Sequence, residues 1–355
     1  MASNQSTKKS FWQRFKWWFL GLLAVVFMLF SLFVPLPYYV EMPGGAFDIK
    51  SVLTVNGKED HKKGSYNFVA VGVSQATLAQ LLYALATPDA VIETEQTMTG
   101  GYSNDDYIRI NRFYMESSQN TAIYQALKLA GKEVTMEYKG VYVLNVAHNS
   151  TFRKVLQIAD TVTAVNGKTF KNSKELIDYV AGLQLGDEVT IGYTSDGKHK
   201  TAKGSIIELS NGKHGIGIGL TDHTEVNSSI KVKFSTDGFG GPSAGLMFTL
   251  AIYDQVSGDD LRAGRVIAGT GTIEPDGSIG DIGGAGLKVI SAAQAGAKIF
   301  FVPNNPVDKA VKKKDPTAKT NYEEAKQAAK RIGTDMKIVP VTTLKEAIDY
   351  LKKTK

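Results

Sequence analysis

The first hydrophobic feature of the chain is an apolar run without any charged residue at positions 17–34. As a helix this run is about 27 Å long, which matches the hydrocarbon core of a bilayer. Basic residues precede the run and acidic residues follow it, so the positive-inside rule places residues 1–16 in the cytoplasm and the chain after the span at 17–35 outside the cell. A cleaved signal peptide is the alternative, but the run is long for one and lacks a small-residue cleavage site at its end. We therefore predict a single-pass anchor in the cell membrane.

The pattern over residues 36–137 changes between strand and helix periodicity. Residues 66–73 predict a strand, whereas residues 76–86 and 121–130 predict helices. Four acidic residues in this stretch have no histidine nearby and are expected on a solvated face: Glu93, Glu95, Asp105 and Asp106. We predict an extracellular α/β segment that could form part of a catalytic module, and we expect no metal or other cofactor.

The last part of the chain combines short apolar strands with apolar helices. Strands are predicted at residues 230–234, 298–302 and 337–341, with a hairpin at 266–282 and a closing helix at 343–351. Two further apolar helices follow Ser243 and begin at Lys288. This part therefore predicts a mixed domain of helices and strands.

Composition narrows the function classes. The 355 residues include no cysteine, which excludes disulfides and thiolate metal sites, and their number allows two or three domains. The net charge of +6 does not form a basic stripe interleaved with aromatic residues. Nucleic-acid binding is therefore not predicted.

The strongest candidate for chemistry is Ser243, which lies in a glycine-rich turn before an apolar helix. Glycines flank it on both sides, and Pro242 directly precedes it. The free N–H groups of a helix N-terminus favour negative charge, so the backbone at Gly241, Pro242 and Ala244 could form an oxyanion hole. An ordinary serine N-cap is the alternative, and the turn by itself leaves the two interpretations level.

A nucleophilic serine needs a general base. The G-P-S-A-G sequence also fits the G-x-S-x-G nucleophile elbow, but that elbow requires a histidine after the serine, and none of the five histidines follows Ser243. A neutral lysine can serve instead, and Lys288 has Ala292 and Ala295 on its helical face, which makes it a candidate for a lowered pKa. A lysine that extends its head group into solvent at a helix start is the alternative, and spacing alone slightly favours it.

These motifs resemble the proteolytic domain of Lon proteases, which use a serine–lysine dyad. The family's G-P-S-A-G motif matches residues 241–245, its G-G-x-x-x-K motif matches residues 283–288, and its Thr-Gly pair matches residues 270–271. The resemblance assigns residues 210–355 to a Lon-type α/β domain.

The resemblance also implies a role for each matched side chain. Ser243 would be the nucleophile, Lys288 its general base and Thr270 the residue that orients Lys288. Gly240 departs from the aspartate that many relatives carry before the motif, so no substrate contact is assigned there. Relatives often form rings, which makes a homo-oligomer an implied partner.

Residues 138–209 resemble a PDZ domain, a β-sandwich-like barrel with helices. The segment L-Q-I-A-D-T-V-T-A-V-N-G-K-T-F matches the family's core strand and turn. Such domains bind an extended peptide by strand addition. The resemblance implies peptide-binding backbone at Gly140, Val141, Tyr142 and Val143.

The complete layout is an α+β chain with an anchor, an intervening segment, a PDZ domain and a Lon-type domain, and it resembles the YlbL-type membrane proteases of Gram-positive bacteria. No Walker A sequence is present, so the implied activity is an ATP-independent serine endopeptidase that cleaves exported or signalling peptides and flexible proteins. A catalytically silent PDZ scaffold at the cell surface is the main alternative. A signal-peptidase-like Ser–Lys enzyme is a second, but the G-G-x-x-x-K spacing and the PDZ domain fit it poorly.

Overall fold

The computed structural model describes residues 11–355, so most of the predicted cytoplasmic segment 1–16 lies outside the described residues. The α-helices of the described residues are α1 (Phe11–Phe33), α2 (Leu78–Ala86), α3 (Glu95–Thr99), α4 (Asn104–Leu129), α5 (Ser173–Ala181), α6 (Gly245–Ser257), α7 (Ala285–Gln294), α8 (Lys309–Lys314), α9 (Asn321–Ile332) and α10 (Leu344–Lys353). The strands of the same residues are β1 (Pro35–Asp48), β2 (Leu53–Val55), β3 (Ser65–Thr77), β4 (Val91–Thr94), β5 (Thr135–Val146), β6 (Thr161–Val165), β7 (Glu188–Ser195), β8 (Lys198–Ser205), β9 (Ile207–Glu208), β10 (His214–Gly215), β11 (Ile218–Asn227), β12 (Val232–Phe234), β13 (Val266–Gly269), β14 (Ile299–Pro303) and β15 (Lys337–Val341).

The chain divides into two compact units, the first of which contains residues 11–43 and Val71–Gly101. Its helix α1 includes an apolar stretch, Phe15–Phe33, that is long enough to cross a membrane by length and composition. Both a membrane anchor and a signal sequence meet this criterion. The first half of β1 pairs antiparallel with β4, and a small core forms around Val40, Ala76 and Ala84.

The second unit contains Gly44–Ala70 and Tyr102–Lys355, and the part of it that carries Ser243 is built on a parallel sheet. The strand order is β15-β14-β13-β3, and each neighbouring pair is parallel. Every residue of β14 is buried, as expected for a strand covered on both faces. Helix α6 contributes most of its side chains to one core beside this sheet, and α7 contributes Ala285, Val289 and Ala292 to another.

The segment before the PDZ domain contributes directly to this sheet. Strand β3 pairs in parallel with β13, with Ser65 opposite Val266 and Phe68 opposite Gly269. The predicted strand at residues 66–73 is therefore part of an internal strand of this sheet. No local pattern could show this, because its partner lies about two hundred residues further along the chain.

Two predicted elements differ from the structure. The hairpin expected at residues 266–282 forms a strand only at β13, and its return is a turn closed by a hydrogen bond from Glu274 N–H to the carbonyl of Ser278. The helix expected at residues 121–130 is the last part of α4, which begins at Asn104. Because α4 contacts both α6 and β11, it buries polar as well as apolar side chains and shows no single apolar stripe.

The PDZ sheet is antiparallel, with strand order β11-β5-β6-β7-β8. Its core is apolar, with Val141, Val143 and Phe152 fully buried. Helix α5 begins where the side chain of Asn172 accepts a hydrogen bond from Glu175 N–H. Strand β11 extends this sheet beyond the predicted end at residue 209, since it pairs with β5 along its whole length.

Candidate active site

Glycines shape the turn that carries Ser243. Gly241 has φ +83°, a left-handed conformation that only glycine adopts without strain. Gly245 begins α6, and a Cβ there would lie 2.7 Å from the side chains of both Ile273 and Ser118. The turn can therefore lie tightly against its neighbours, with Ser243 at the helix entrance.

The side chain of Ser243 does not cap α6. The N-cap residue is Ala244, and no side chain makes a capping hydrogen bond there. Instead, Ser243 Oγ lies 2.9 Å from Lys288 Nζ and accepts a hydrogen bond from it. The alternative of an ordinary serine N-cap is therefore wrong.

Lys288 lies in the first turns of α7, which follows Gly284 in the left-handed conformation. Only 5 % of Lys288 is exposed, and its neighbours Ala285, Val289 and Ala292 belong to the core. A lysine that extends into solvent would have an exposed head group, so that alternative is also wrong. Helix α7 instead aims the amine at the serine turn.

Thr270 connects the two halves of the site. It directly follows β13, is fully buried, and its Oγ1 lies 3.3 Å from Lys288 Nζ, from which it accepts a hydrogen bond. The same hydroxyl donates to the carbonyl of Ser243 at 3.2 Å, and Gly271 N–H donates to that carbonyl at 2.9 Å. The hydroxyl of Thr270 uses its single proton in the bond to the Ser243 carbonyl, so its oxygen lone pairs remain to accept the hydrogen bond from the Lys288 amine.

In the part of the chain described, no group of three or more metal-ligating side chains is placed to hold an ion.

The structure supports only part of the backbone that was predicted to form the oxyanion hole. Pro242 has no N–H, and the N–H of Gly241 donates to the carbonyl of Asn111 at 2.8 Å. Within the described residues, the N–H groups of Ser243 and Ala244 have no acceptor. Of the three residues named from sequence, only Ala244 offers a free donor, and Ser243 itself supplies the second.

Helix α4 supports the serine turn from outside the recognised motifs. Besides the carbonyl of Asn111, it contributes Ser118, whose hydroxyl donates to the carbonyl of Pro242 at 2.9 Å. Gln119 donates to the hydroxyl of Thr236 at 2.8 Å, just before the turn. Sequence reasoning missed these residues, because nothing in the local pattern of α4 indicates a contact more than a hundred residues away.

Replacing Ser118 by Ala is expected to lower kcat/KM about fivefold without unfolding the protein. The variant loses one hydrogen bond that holds the nucleophile turn, worth about 1 kcal/mol. The measurement is peptide hydrolysis by wild type and variant, with Ser117→Ala as the neighbouring control. Equal rates for all three proteins would show that α4 does not position the turn.

The same helix also contacts the PDZ sheet. The ring of Phe113 stacks on Tyr142 with 3.6 Å between ring centroids, and it meets the ring of His223 edge to face. Asn120 donates to the carbonyl of Thr224 in β11 at 2.9 Å. Burial lowers the pKa of His223, so this contact favours the neutral imidazole. One helix thus touches both the PDZ sheet and the nucleophile turn.

The structure does not place the predicted peptide-binding residues at a free edge. Gly140, Val141 and Tyr142 pair with β11 on one side, and the latter two also pair with β6 on the other. Val141 and Val143 are fully buried in the PDZ core. Strand addition needs unpaired backbone groups, so these four residues cannot provide it. Gly140 instead has φ +137° beside a register irregularity of the β5–β11 ladder.

Strand β11 is one of the two edge strands of this sheet, and it lies beside α5. The carboxylate of Asp222 in β11 accepts a hydrogen bond from Ser173 N–H at the start of α5. Gly217 has φ +75° and directly precedes Ile218, the first residue of β11. Glycine and isoleucine alternate at residues 215–219, which the predicted boundary at residue 210 assigns to the Lon-type segment, whereas the backbone of β11 pairs with β5 of the PDZ sheet.

Comparison with known families agrees with both folds. Residues 130–206 match the PDZ domain family, and residues 216–352 match the Lon protease (S16) C-terminal proteolytic domain. The Lon protease of Neorickettsia sennetsu is 26% identical over 110 residues, which are 31% of this chain and 11% of that protein. The chain therefore corresponds to only a small part of that relative.

Solved PDZ domains are also similar to this chain. The PDZ domain of an SdrC-like protein from Listeria monocytogenes is 37% identical and covers 23% of this chain and 88% of that one, with a TM-score of 0.23. The PDZ domain of an SdrC-like protein from Listeria innocua is 35% identical and covers 24% of this chain and 96% of that one, with the same TM-score of 0.23. The predicted α+β class is confirmed: the chain joins a PDZ domain to a Lon-type proteolytic domain, the combination found in PDZ–Lon-like proteases.

Proposed function

We propose that the protein is a membrane-anchored, outward-facing serine endopeptidase that works without ATP and uses Ser243 and Lys288 as its dyad. The observation that carries this proposal is the 2.9 Å contact between Ser243 Oγ and the buried amine of Lys288. A nucleophile and a base within hydrogen-bond distance are the arrangement that acyl transfer needs. The match to the Lon proteolytic domain supports it.

In the first half of the reaction, neutral Lys288 accepts the proton of Ser243 as Oγ attacks the carbonyl carbon of the scissile peptide. The N–H groups of Ser243 and Ala244 stabilise the negative oxygen that forms. Lys288 then gives the proton to the leaving amine as the C–N bond breaks, which leaves an acyl-enzyme. Water repeats these steps on the ester and releases the second product, so Ser243 and Lys288 return to their starting forms.

Thr270 holds the amine of Lys288 in line with Ser243. Replacing it by Val keeps the shape but removes the hydroxyl, and kcat is expected to fall about 10²-fold, the low end of what a positioned base contributes. Thr270→Ser keeps the hydroxyl and should restore most of the rate. The measurement is kcat for the three proteins, and an equal loss in both variants would assign Thr270 to packing only.

The other parts of the chain give the peptidase its location and its substrates. Helix α1 would hold the protein in the cell membrane with the catalytic unit outside. The edge strand β11 would receive an extended segment of an exported peptide or flexible protein by strand addition. Short or unstructured substrates need no unfolding engine, which is why we expect no ATP requirement.

The proposed function is tested with the full chain in detergent micelles and fluorescently labelled casein, with ATP omitted. We expect cleavage, and a rate that rises from neutral to alkaline pH because only the neutral amine accepts a proton. A flat pH profile would contradict the lysine base. A folded protein that is inert on casein and on short peptides at every pH would instead favour the PDZ scaffold.

A further inference from the structure

Helix α2 of the first unit presents an apolar surface that the protein leaves uncovered. Leu82, Tyr83 and Leu85 are 59%, 62% and 75% exposed. At 100° per residue these side chains occupy one side of the helix, within an arc of about 160°, opposite Ala84. Ala84 is buried and packs in the small core with Val40 and Ala76. The helix thus buries Ala84 and exposes three large apolar side chains.

The composition of this stretch is unusual for a water-exposed surface. No charged residue occurs between Lys63 and Asp89. Neither part of the unit beyond α1, residues 35–43 and Val71–Gly101, contains a lysine or an arginine. Three large apolar side chains on an uncharged helix fit a lipid surface better than bulk water.

The position of α2 beside α1 indicates which surface its uncovered side faces. Helix α2 packs against α1, the candidate membrane span. Just before α2, the side chain of Gln75 donates a hydrogen bond to the carbonyl of Leu36, which lies just after the end of α1. The uncovered side of α2 is therefore close to the point where α1 would leave the membrane.

We propose that α2 is a second membrane contact, lying in the interface of the bilayer that α1 spans, with Leu82, Tyr83 and Leu85 among the lipid chains and head groups. This inference rests on the proposed membrane anchoring by α1. Helix α2 is about 13 Å long, too short to cross a bilayer, and so it lies along the surface. Since its side chains carry no positive charge, apolar contact drives the insertion, and anionic lipid is not required.

The absence of cysteine from the chain allows a direct test by labelling. Single variants Leu85→Cys in α2, Leu23→Cys in α1 and Lys200→Cys in the PDZ domain receive an environment-sensitive fluorophore. The full-length proteins are reconstituted in nanodiscs of zwitterionic lipid, with and without brominated acyl chains that quench nearby fluorophores. We expect strong quenching at position 23, clear but weaker quenching at position 85, and none at position 200.

The three positions separate this inference from the anchor. Quenching at position 23 without quenching at 85 overturns the α2 contact and leaves the anchor intact. No quenching at 23 or 85 overturns both. Equal quenching at 85 and 200 also overturns the proposal, because it shows general adsorption. As a second measurement, Leu82→Asp should reduce quenching at 85 at least twofold, whereas equal quenching would show that the apolar side of α2 is not inserted.

Discussion

Replacing Lys288 by Met is expected to abolish peptide cleavage while the protein stays folded. Met keeps the unbranched shape of the side chain but cannot accept the proton of Ser243. Ser243→Ala removes the nucleophile itself. Because such residues act as one unit, each change should lower kcat by at least about 10⁴-fold, and the double variant should be no worse than either single one.

The measurement is the initial rate of casein cleavage, combined with thermal unfolding to verify the fold. Lys288 is buried in an apolar core, so a Met of similar volume should leave the melting temperature nearly unchanged or raise it. Lys298→Met, at an exposed position directly before β14, is the matched control and should keep full activity. Residual activity above a few per cent in Lys288→Met would mean that another group deprotonates Ser243.

The largest effect on stability is expected from Arg262→Met. Arg262 is 1% exposed, its Nη2 lies 2.6 Å from Asp60 Oδ2, and its Nε lies 3.4 Å from Asp254 Oδ2. The two nitrogens make these ion pairs without well-aligned hydrogen bonds. Removing the guanidinium takes its cation from the buried carboxylate of Asp60 and leaves that of Asp254 with the more distant Lys62, whose Nζ lies 3.8 Å from Oδ1. Breaking a buried ion pair in this way typically costs about 3–5 kcal/mol.

We therefore expect the melting temperature of Arg262→Met to fall by on the order of 10 °C. The matched control is Lys345→Met, which breaks an exposed ion pair with Asp349 on α10 and should change the free energy of unfolding by less than about 1 kcal/mol. Similar losses in both variants would show that the buried network contributes no special stability. A loss of activity at a temperature where the variant is folded would assign Arg262 a role in the site.

The loss of stability caused by Arg262→Met should also depend on pH. Burial raises the pKa of Asp254 above its usual value, although the nearby cations oppose this. A carboxyl whose pKa is raised in the folded protein favours folding at pH below its unfolded value, and it loses that contribution as pH rises through its folded value. Without Arg262 the pKa of Asp254 should rise further, so the loss of stability is greatest at neutral pH and shrinks in acid.

The candidate catalytic side chains could be predicted from the sequence because short motifs define them. The glycines around Ser243 are required locally, by a left-handed turn at Gly241 and by the close approach of Gly245 to Ile273. Lys288 is recognisable from its apolar helix and its G-G-x-x-x-K motif. The sequence left the roles of both residues ambiguous, and the 2.9 Å contact between them is the observation on which the proposed dyad rests.

The residues of α4 that support the Ser243 turn could not be predicted from short sequence motifs. Asn111 and Ser118 reach the nucleophile turn only because α4 packs against α6, and that packing joins segments more than a hundred residues apart. The same helix places Phe113 on Tyr142 of the PDZ sheet. Polar residues buried between two partners follow no simple periodicity, so even the start of α4 was missed.

The sequence by itself determined the features that depend on neighbouring residues: the apolar span, the catalytic turn and helix, and the two domain types. Only the tertiary structure decided which strands pair. It placed β3 beside β13 in the catalytic sheet and β11 at the edge of the PDZ sheet, and it enclosed the backbone of Gly140 and Val141 between two strands. The physical reason is that side-chain periodicity shows which face of a strand is buried, whereas backbone hydrogen bonds between distant segments are the same for any sequence.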